Sequence, residues 1–351
     1  MKGTLRYLAG IPGPNGFGSR STAEEVTQNC SSNHSHLTAI ITGGTSGIGA
    51  ETARVLAKRG VRIVMAARDM KKAEMVKEKI ERESPGSEIK VLEIDLSSLT
   101  SVRRFCSQFL AQDLPLNILI NNAGVFSPNL EFSEEKIELT FATNYLGHYL
   151  LTEMLMEKMV ETAEKSGVQG RIINLSSVIH SWVKHDSFSF TKLLNPTKYN
   201  GTRAYAQSKL ATILHAKELS RQLKERNANV AINAVHPGIV KTGIIRAHKG
   251  LFTGNLDSLF FIASKLLKSA SQGAATTCYV ALSKDTEGSS GKYFADCNEG
   301  NCSDLANDDS LALKLWANTR NLIHAHFLQT QTHSSPVKPT SCKSHNLSLT
   351  I

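Results

Sequence analysis

Leu37-Thr38-Ala39-Ile40-Ile41-Thr42-Gly43-Gly44-Thr45-Ser46-Gly47-Ile48-Gly49 decides the fold of this 351-residue chain. An apolar run with strand character ends at Thr42, and helical periodicity begins near Ile48 and continues to Arg59. Glycines at that junction permit a tight turn and let the backbone approach a pyrophosphate closely. The N–H groups at the start of the following helix point at the same place. The spacing is G-x-x-x-G-x-G, not the more familiar G-x-G-x-x-G.

On the C-terminal side of the loop, strand and helix patterns alternate. Strand-like runs lie at 61–66, 89–94, 116–120, 170–175, 230–235 and 292–294. Helical patterns fall at 70–83, 99–110, 133–159, 204–227 and 271–283. This alternation predicts a single doubly wound α/β domain of Rossmann type, with a mostly parallel seven-stranded sheet and helices on both faces. The domain should span residues 37–325. Residues 1–36, rich in Gly, Ser and Asn, read as an N-terminal arm with a short helix at 21–27 opened by a Ser21/Glu24 capping box. Residues 326–351 read as a disordered C-terminal tail.

The net charge of +9 favours anionic ligands or surfaces. Its basic residues are scattered and not interleaved with aromatics, which argues against nucleic acid as a partner. Six cysteines without a Cys-x-x-Cys pair argue against a metal site and fit a reduced, intracellular protein. Lys2, Arg6 and Arg20, with no acid among them, hint weakly at organelle targeting and leave chloroplast or cytoplasm open.

Further motifs follow the glycine loop in order. Asn121-Asn122-Ala123-Gly124 closes the fourth strand, and Asn144 lies in Thr-Asn-Tyr-Leu-Gly-His. Ser176-Ser177 closes the fifth strand, Tyr205-Ala-Gln-Ser-Lys209 sits on the next helix, and His236-Pro237-Gly238 closes the sixth strand. Each motif alone has an ordinary structural explanation: a surface Tyr/Lys pair, a helix-interior Asn, a serine N-cap. In series they converge on the carboxyl edge of the sheet, where open α/β folds bind ligands. Reducing a carbonyl requires a hydride and a proton. A tyrosine with a lysine at i+4 on the same helix face suits the proton transfer, because the cation favours the phenolate and should lower the tyrosine pKa from its usual value near about 10.

Over about 37–320 this series resembles the short-chain dehydrogenase/reductase family. The resemblance makes Tyr205 the general acid/base and gives Lys209 the nicotinamide ribose as well. It assigns Ser177 (Ser176 as fallback) to the substrate oxygen and Asn144 to a water in the proton relay. It implies cofactor contacts from Gly43, Thr45, Ser46, Gly47, Ile48, Gly49, Asp95, Leu96, Asn122, Ala123, Gly124, Tyr205, Lys209, Pro237, Gly238 and Thr242. His148 and His236 read as structural.

At the end of the second strand, NAD-preferring members carry an acid that grips the adenine ribose. Here that position is Ala67, followed by Arg68, whose guanidinium suits a 2′-phosphate. The expected cofactor is therefore NADP(H). Asp69 beside it could partly neutralise the site.

Ser177 and Tyr205 stand further apart than in many members of the family. The intervening segment, 178–203, carries His180, Trp182, His185, Phe188 and Phe190. It reads equally as a lid over an apolar substrate or as a surface loop covering a hydrophobic edge. Together with Ser-Ser-Val-Ile-His, it resembles the retinol-dehydrogenase-like branch. The phrases Ser21–Val26, Thr140–His148 and Arg203–Tyr205 resemble plant members, some of them associated with the chloroplast inner-envelope translocon. Apolar residues over 257–269, with Lys265 and Lys268 at the edge, read as an amphipathic helix that lines the pocket, packs in a dimer or touches a membrane.

The expected activity is NADP(H)-dependent interconversion of a small apolar carbonyl and an alcohol. The alternative is an NADP(H)-binding sensor or scaffold subunit of a chloroplast envelope complex. The resemblance leaves the oligomeric state open between a monomer and a homodimer paired, as in many relatives, through the helices after the fourth and fifth strands.

Overall fold

A computed structural model describes residues 10–30, 34–240 and 267–333, with residue 186 and residues 329–333 described by backbone alone. Eight strands among these residues form one sheet: β1 (Thr38–Thr42), β2 (Arg62–Ala67), β3 (Ile89–Glu93), β4 (Ile118–Asn121), β5 (Gly170–Leu175), β6 (Val230–His236), β7 (Tyr293–Ala295) and β8 (Asn298–Gly300). Their order is β3-β2-β1-β4-β5-β6-β7-β8, parallel except for the β7–β8 pair. Representative register pairs are Thr42↔Ala66, Asn121↔Asn174 and Leu175↔Val235. The strand order reverses between β1 and β4, so the loops after these two strands border a crevice.

The central strands β1, β2, β4, β5 and β6 are buried on both faces because both faces are covered. Ile40 and Val64 point into one core, with residues from α4 (Leu99–Leu110), α5 (Gly147–Ser166), α7 (Gly201–Glu225) and α9 (Asp309–His333). Their neighbours Ala39, Ile41, Ile63 and Met65 point into the other, with α1 (Ala23–Val26), α2 (Gly47–Lys58), α3 (Met70–Glu83) and α8 (Ala270–Leu282). A short helix, α6 (Phe190–Leu194), lies in the segment before α7.

The structure corrects several sequence expectations. An eighth strand pairs antiparallel with β7 across a turn in which Asp296 and Cys297 hold positive φ. Helix 133–159 instead starts at Leu139, runs through a π-helical turn at Ala142–Leu146, and continues as α5 to Ser166. Lys136, at φ +58°, breaks the earlier apolar periodicity into a turn. The capping box of α1 belongs to Thr22 and Glu25, not Ser21 and Glu24. α1 is packed into the core, with Ala23 and Val26 buried, and Glu24 pairs with Arg54 and Lys58 of α2. Lys268 is not on the face of a helix. It bridges Val240 in β fashion, is buried, and pairs with Asp296 at 2.6 Å. The rest of the 257–269 segment up to residue 266, and Thr242, lie outside the described residues.

α9 extends to His333, past the start of the expected tail, and packs across α7. The Tyr145 and Thr319 hydroxyls lie 3.0 Å apart, and Arg103 of α4 stacks on Phe327. The helical segments after β4 and β5 therefore carry the chain's own last helix.

Candidate active site

Most of the sequence-predicted site residues lie at the carboxyl ends of β1 to β6 or on helices packed behind them. In the glycine loop, Gly43 (φ +67°) sits so close to β4 that a Cβ there would be 2.9 Å from the Ala123 Cα. A Cβ at Gly49 would overlap the Gly43 carbonyl oxygen and the Asn122 amide. The α2 N-terminus has no side-chain cap from Ser46 and no acid in its first turn. Its first N–H groups thus have no side-chain acceptor from Ser46 and suit an anion. This cradle fits the pyrophosphate of a dinucleotide.

Beyond β2, Ala67 is buried and Arg68 is exposed, with no ion pair among the described residues. Asp69 accepts from Lys72 N at 3.0 Å as the N-cap of α3, so its carboxylate serves the helix. Asp95 accepts from Ser97 N and its hydroxyl at 2.9 and 2.6 Å. Leu96 is buried. Asn122 donates to Thr42 O at 2.7 Å, tying the β4 loop to the glycine loop. Ile48 packs toward Gly273 of α8. After β6, Gly238 (φ +85°) lies against the Lys268 side chain.

Asn144 is buried in the π-helical turn. Its Oδ1 accepts from Val125 N at 2.7 Å, and its Nδ2 donates to Val125 O and Ser208 Oγ, both at 3.0 Å. A Cβ at Gly124 would fall 3.4 Å from Asn144 Oδ1 and 3.5 Å from Lys209 Nζ. The β4 loop, the π-turn and α7 therefore converge at Gly124. Lys209 is buried, donates to Leu175 O at 2.8 Å and lies 5.6 Å from the Tyr205 ring centroid. Tyr205 is half-buried, with Phe126 edge-on to its ring.

The two serines separate cleanly. Ser176 is buried and donates to Lys209 O at 2.7 Å, locking α7 to β5. Ser177 is half-buried, and its Oγ receives only a long 3.4 Å bond from Ile179 N among the described residues. Only Ser177 keeps a hydroxyl available for a ligand.

Burial pushes the Tyr205 phenol up to about 12 and the Lys209 ammonium down to about 8. Burial alone drives the rise, since Lys209 Nζ lies 5.6 Å from the ring centroid and donates to Leu175 O.

Sequence reading missed a buried link between the loops. Thr42 Oγ1 accepts from Asn122 N and Ala123 N at 2.9 and 3.0 Å, which leaves its O–H to donate to His148 Nε2 at 2.9 Å. His148 Nδ1–H then donates to Asn144 O at 3.1 Å. This neutral imidazole joins the glycine loop to the π-turn. Burial holds His148 down to about 4. The unfolded chain therefore binds a proton below about 6.5 that the folded chain refuses until about 4, and stability falls as pH drops through that window. The shift corresponds to about 3 kcal/mol. Thermal unfolding from pH 7 to pH 4 should show this loss, with a shallower slope in His148→Gln.

The 178–203 segment lies closed against the body. Leu193 is buried, and Phe188 and Phe190 pack on the core. Gln207 donates to Ser187 O at 2.7 Å, and Tyr199 donates to Ser127 O at 2.9 Å. His180 is buried, whereas Val178 and Trp182 are exposed.

Residues 37–189 match the short chain dehydrogenase family. The short-chain dehydrogenase TIC 32 B, chloroplastic, of Brassica napus is 50% identical over 309 residues, 88% of this chain and 95% of the relative. Human retinol dehydrogenase 14 is 38% identical, across 80% of this chain and 84% of its own. A crystal structure of an uncharacterised protein from Mycobacterium paratuberculosis superposes with a TM-score of 0.67 at 27% identity, covering 87% of this chain and 97% of that one. No described helix is long and apolar enough to cross a membrane, and the described residues hold no cluster of metal-ligating side chains.

Proposed function

This chain belongs to the short-chain dehydrogenase/reductase family, a family of NAD(P)(H)-using oxidoreductases that act on CH–OH and C=O groups, and on that premise we propose that it interconverts a small apolar carbonyl and an alcohol with NADP(H). The observation that carries this reading is the convergence of Gly124, Asn144 and Lys209 beside Tyr205. The glycine loop and the α2 N-terminus would hold the pyrophosphate, Asn122 and Ala123 the adjoining ribose, and Asp95 and Leu96 the adenine side. A bound nicotinamide supplies the hydride. Tyr205 gives its proton to the carbonyl oxygen, and Ser177 donates a hydrogen bond to the same oxygen. Lys209 stabilises the phenolate left behind, and Asn144 would hold a water of the proton relay. Phe126 against Tyr205, and the exposed Val178 and Ile239 that follow Ser177 and Gly238 in the chain, favour an apolar substrate.

Arg68, exposed and without an ion pair among the described residues while Asp69 caps α3, supports a 2′-phosphate contact. Arg68→Ala should raise the Kd for NADPH at least about 10-fold and leave NADH unchanged, since a charge-assisted bond is worth about 1.5–3 kcal/mol. Equal affinities in wild type and variant would remove the basis for NADP(H). The name of the Brassica napus relative, a chloroplastic short-chain dehydrogenase, supports a chloroplast location. Turnover of aldehydes and ketones by the wild type with NADPH supports the enzyme. Tight NADPH binding without turnover of any carbonyl would support a sensor or scaffold subunit.

A further inference from the structure

His180 stands at the first turn after Ser177, and both of its ring nitrogens meet backbone. Nδ1 lies 2.7 Å from Ser177 O, and Nε2 lies 3.1 Å from Ser303 N. A carbonyl can only accept and an amide N–H can only donate. The imidazole is thereby fixed as the neutral tautomer with its proton on Nδ1. The ring is buried and edge-on to Tyr293, with centroids 5.2 Å apart.

The Ser177 turn needs this support. It is a 3₁₀ turn (Val178–Trp182) with Val178 and Trp182 exposed, and its own cap is the long Ser177 Oγ bond. The chain before it is anchored through Ser176, whose hydroxyl bonds Lys209 O. On the far side, the His180 ring joins Ser177 to the segment that opens the 3₁₀ turn Asp304–Asn307. We propose that His180 is a positioning residue, a neutral strut between the Ser177 carbonyl and the Ser303 amide that fixes the Ser177 hydroxyl over the reacting oxygen. The proposal rests on the role given to Ser177 above.

The test compares His180→Phe, His180→Gln and Ser177→Ala in steady-state turnover, with NADPH affinity measured separately. His180→Phe fills the space without the two bonds. It should lower kcat by about 10- to 100-fold, as a small misplacement of a reacting group does, while NADPH affinity stays within about 3-fold. His180→Gln offers one donor and one acceptor and should recover much of the rate. If His180→Phe does not fold, the strut can be cut at its other end. Ser303 has φ −66°, which proline accepts, so Ser303→Pro deletes the amide donor. Ser303→Ala keeps the amide and removes only the cap to Ala306 N. A lower kcat in Ser303→Pro than in Ser303→Ala supports the strut, and equal values overturn it. Nitrogen NMR of the wild type should show Nδ1 protonated and Nε2 bare, and the reverse tautomer overturns the proposal. Full activity in a folded His180→Phe beside an inactive Ser177→Ala overturns the strut and leaves the serine's role standing. Full activity in Ser177→Ala overturns that role, and the strut with it.

Discussion

Tyr205→Phe should lower kcat by about 10²- to 10⁴-fold, the usual contribution of a positioned general acid, while leaving NADPH affinity near that of the wild type. The substitution removes one oxygen and keeps the ring that faces Phe126 and Lys209. Packing is preserved, so the loss reports the proton and not the fold. The wild-type rate should also depend on pH through Lys209. Burial brings that ammonium to about 8, so the cation that supports the phenolate is present below about pH 8 and is lost above it. A pH profile of kcat/KM with the wild type, and stopped-flow binding of NADPH to the variant, separate the two effects. Residual turnover within a few-fold of the wild type in Tyr205→Phe would remove the tyrosine from the chemistry.

Gly49→Ala should be nearly as damaging by a different route. The new methyl group would overlap the Gly43 carbonyl and the Asn122 amide, both already committed to the junction of β1 and β4. Relief requires the glycine loop or the start of α2 to move, at about 1–3 kcal/mol in stability. The same movement shifts the N–H groups that would hold the pyrophosphate, so the Kd for NADPH should rise at least about 100-fold. Gly86→Ala is the control: its φ is also positive, at +88°, but a Cβ there meets nothing within 4 Å. That variant should lose only about 1 kcal/mol of backbone strain energy and bind cofactor normally. Calorimetric unfolding and fluorescence titration of NADPH read both quantities. Normal affinity in Gly49→Ala would mean that the loop tolerates displacement and is not the phosphate cradle.

The parts of the site that could be read in the sequence are those encoded by local spacing. Gly43, Gly47 and Gly49 mark a strand-to-helix turn wherever they occur after an apolar run, and Tyr205 and Lys209 share a helix face by arithmetic alone. Asn144 was found by its place in a series, but the π-turn that carries it has no local signature. The Thr42–His148–Asn144 link escaped because its three residues meet only after β1, β4 and the π-turn have come together. β8 escaped because two polar residues and a glycine after a turn with two positive-φ side chains resemble a loop. The start of the long helix was misplaced because Ile137, Leu139 and Phe141 continue an apolar rhythm that Lys136 interrupts only in its backbone. A charge four residues away is visible in a sequence, whereas the burial that raises the Tyr205 phenol is not.

The position of α9 has a consequence for biosynthesis. The helices it covers are complete once α7 has been made, yet Thr319 and Phe327, which seal them, follow about a hundred residues later. At ~5–20 residues per second, the nascent chain spends about 5–20 s with that apolar face unsealed. During this interval the face can associate with another nascent copy or with a chaperone, and it closes only when the final helix arrives. A released chain ending before Asp309 should therefore remain a chaperone client, whereas a released chain that includes Phe327 should not.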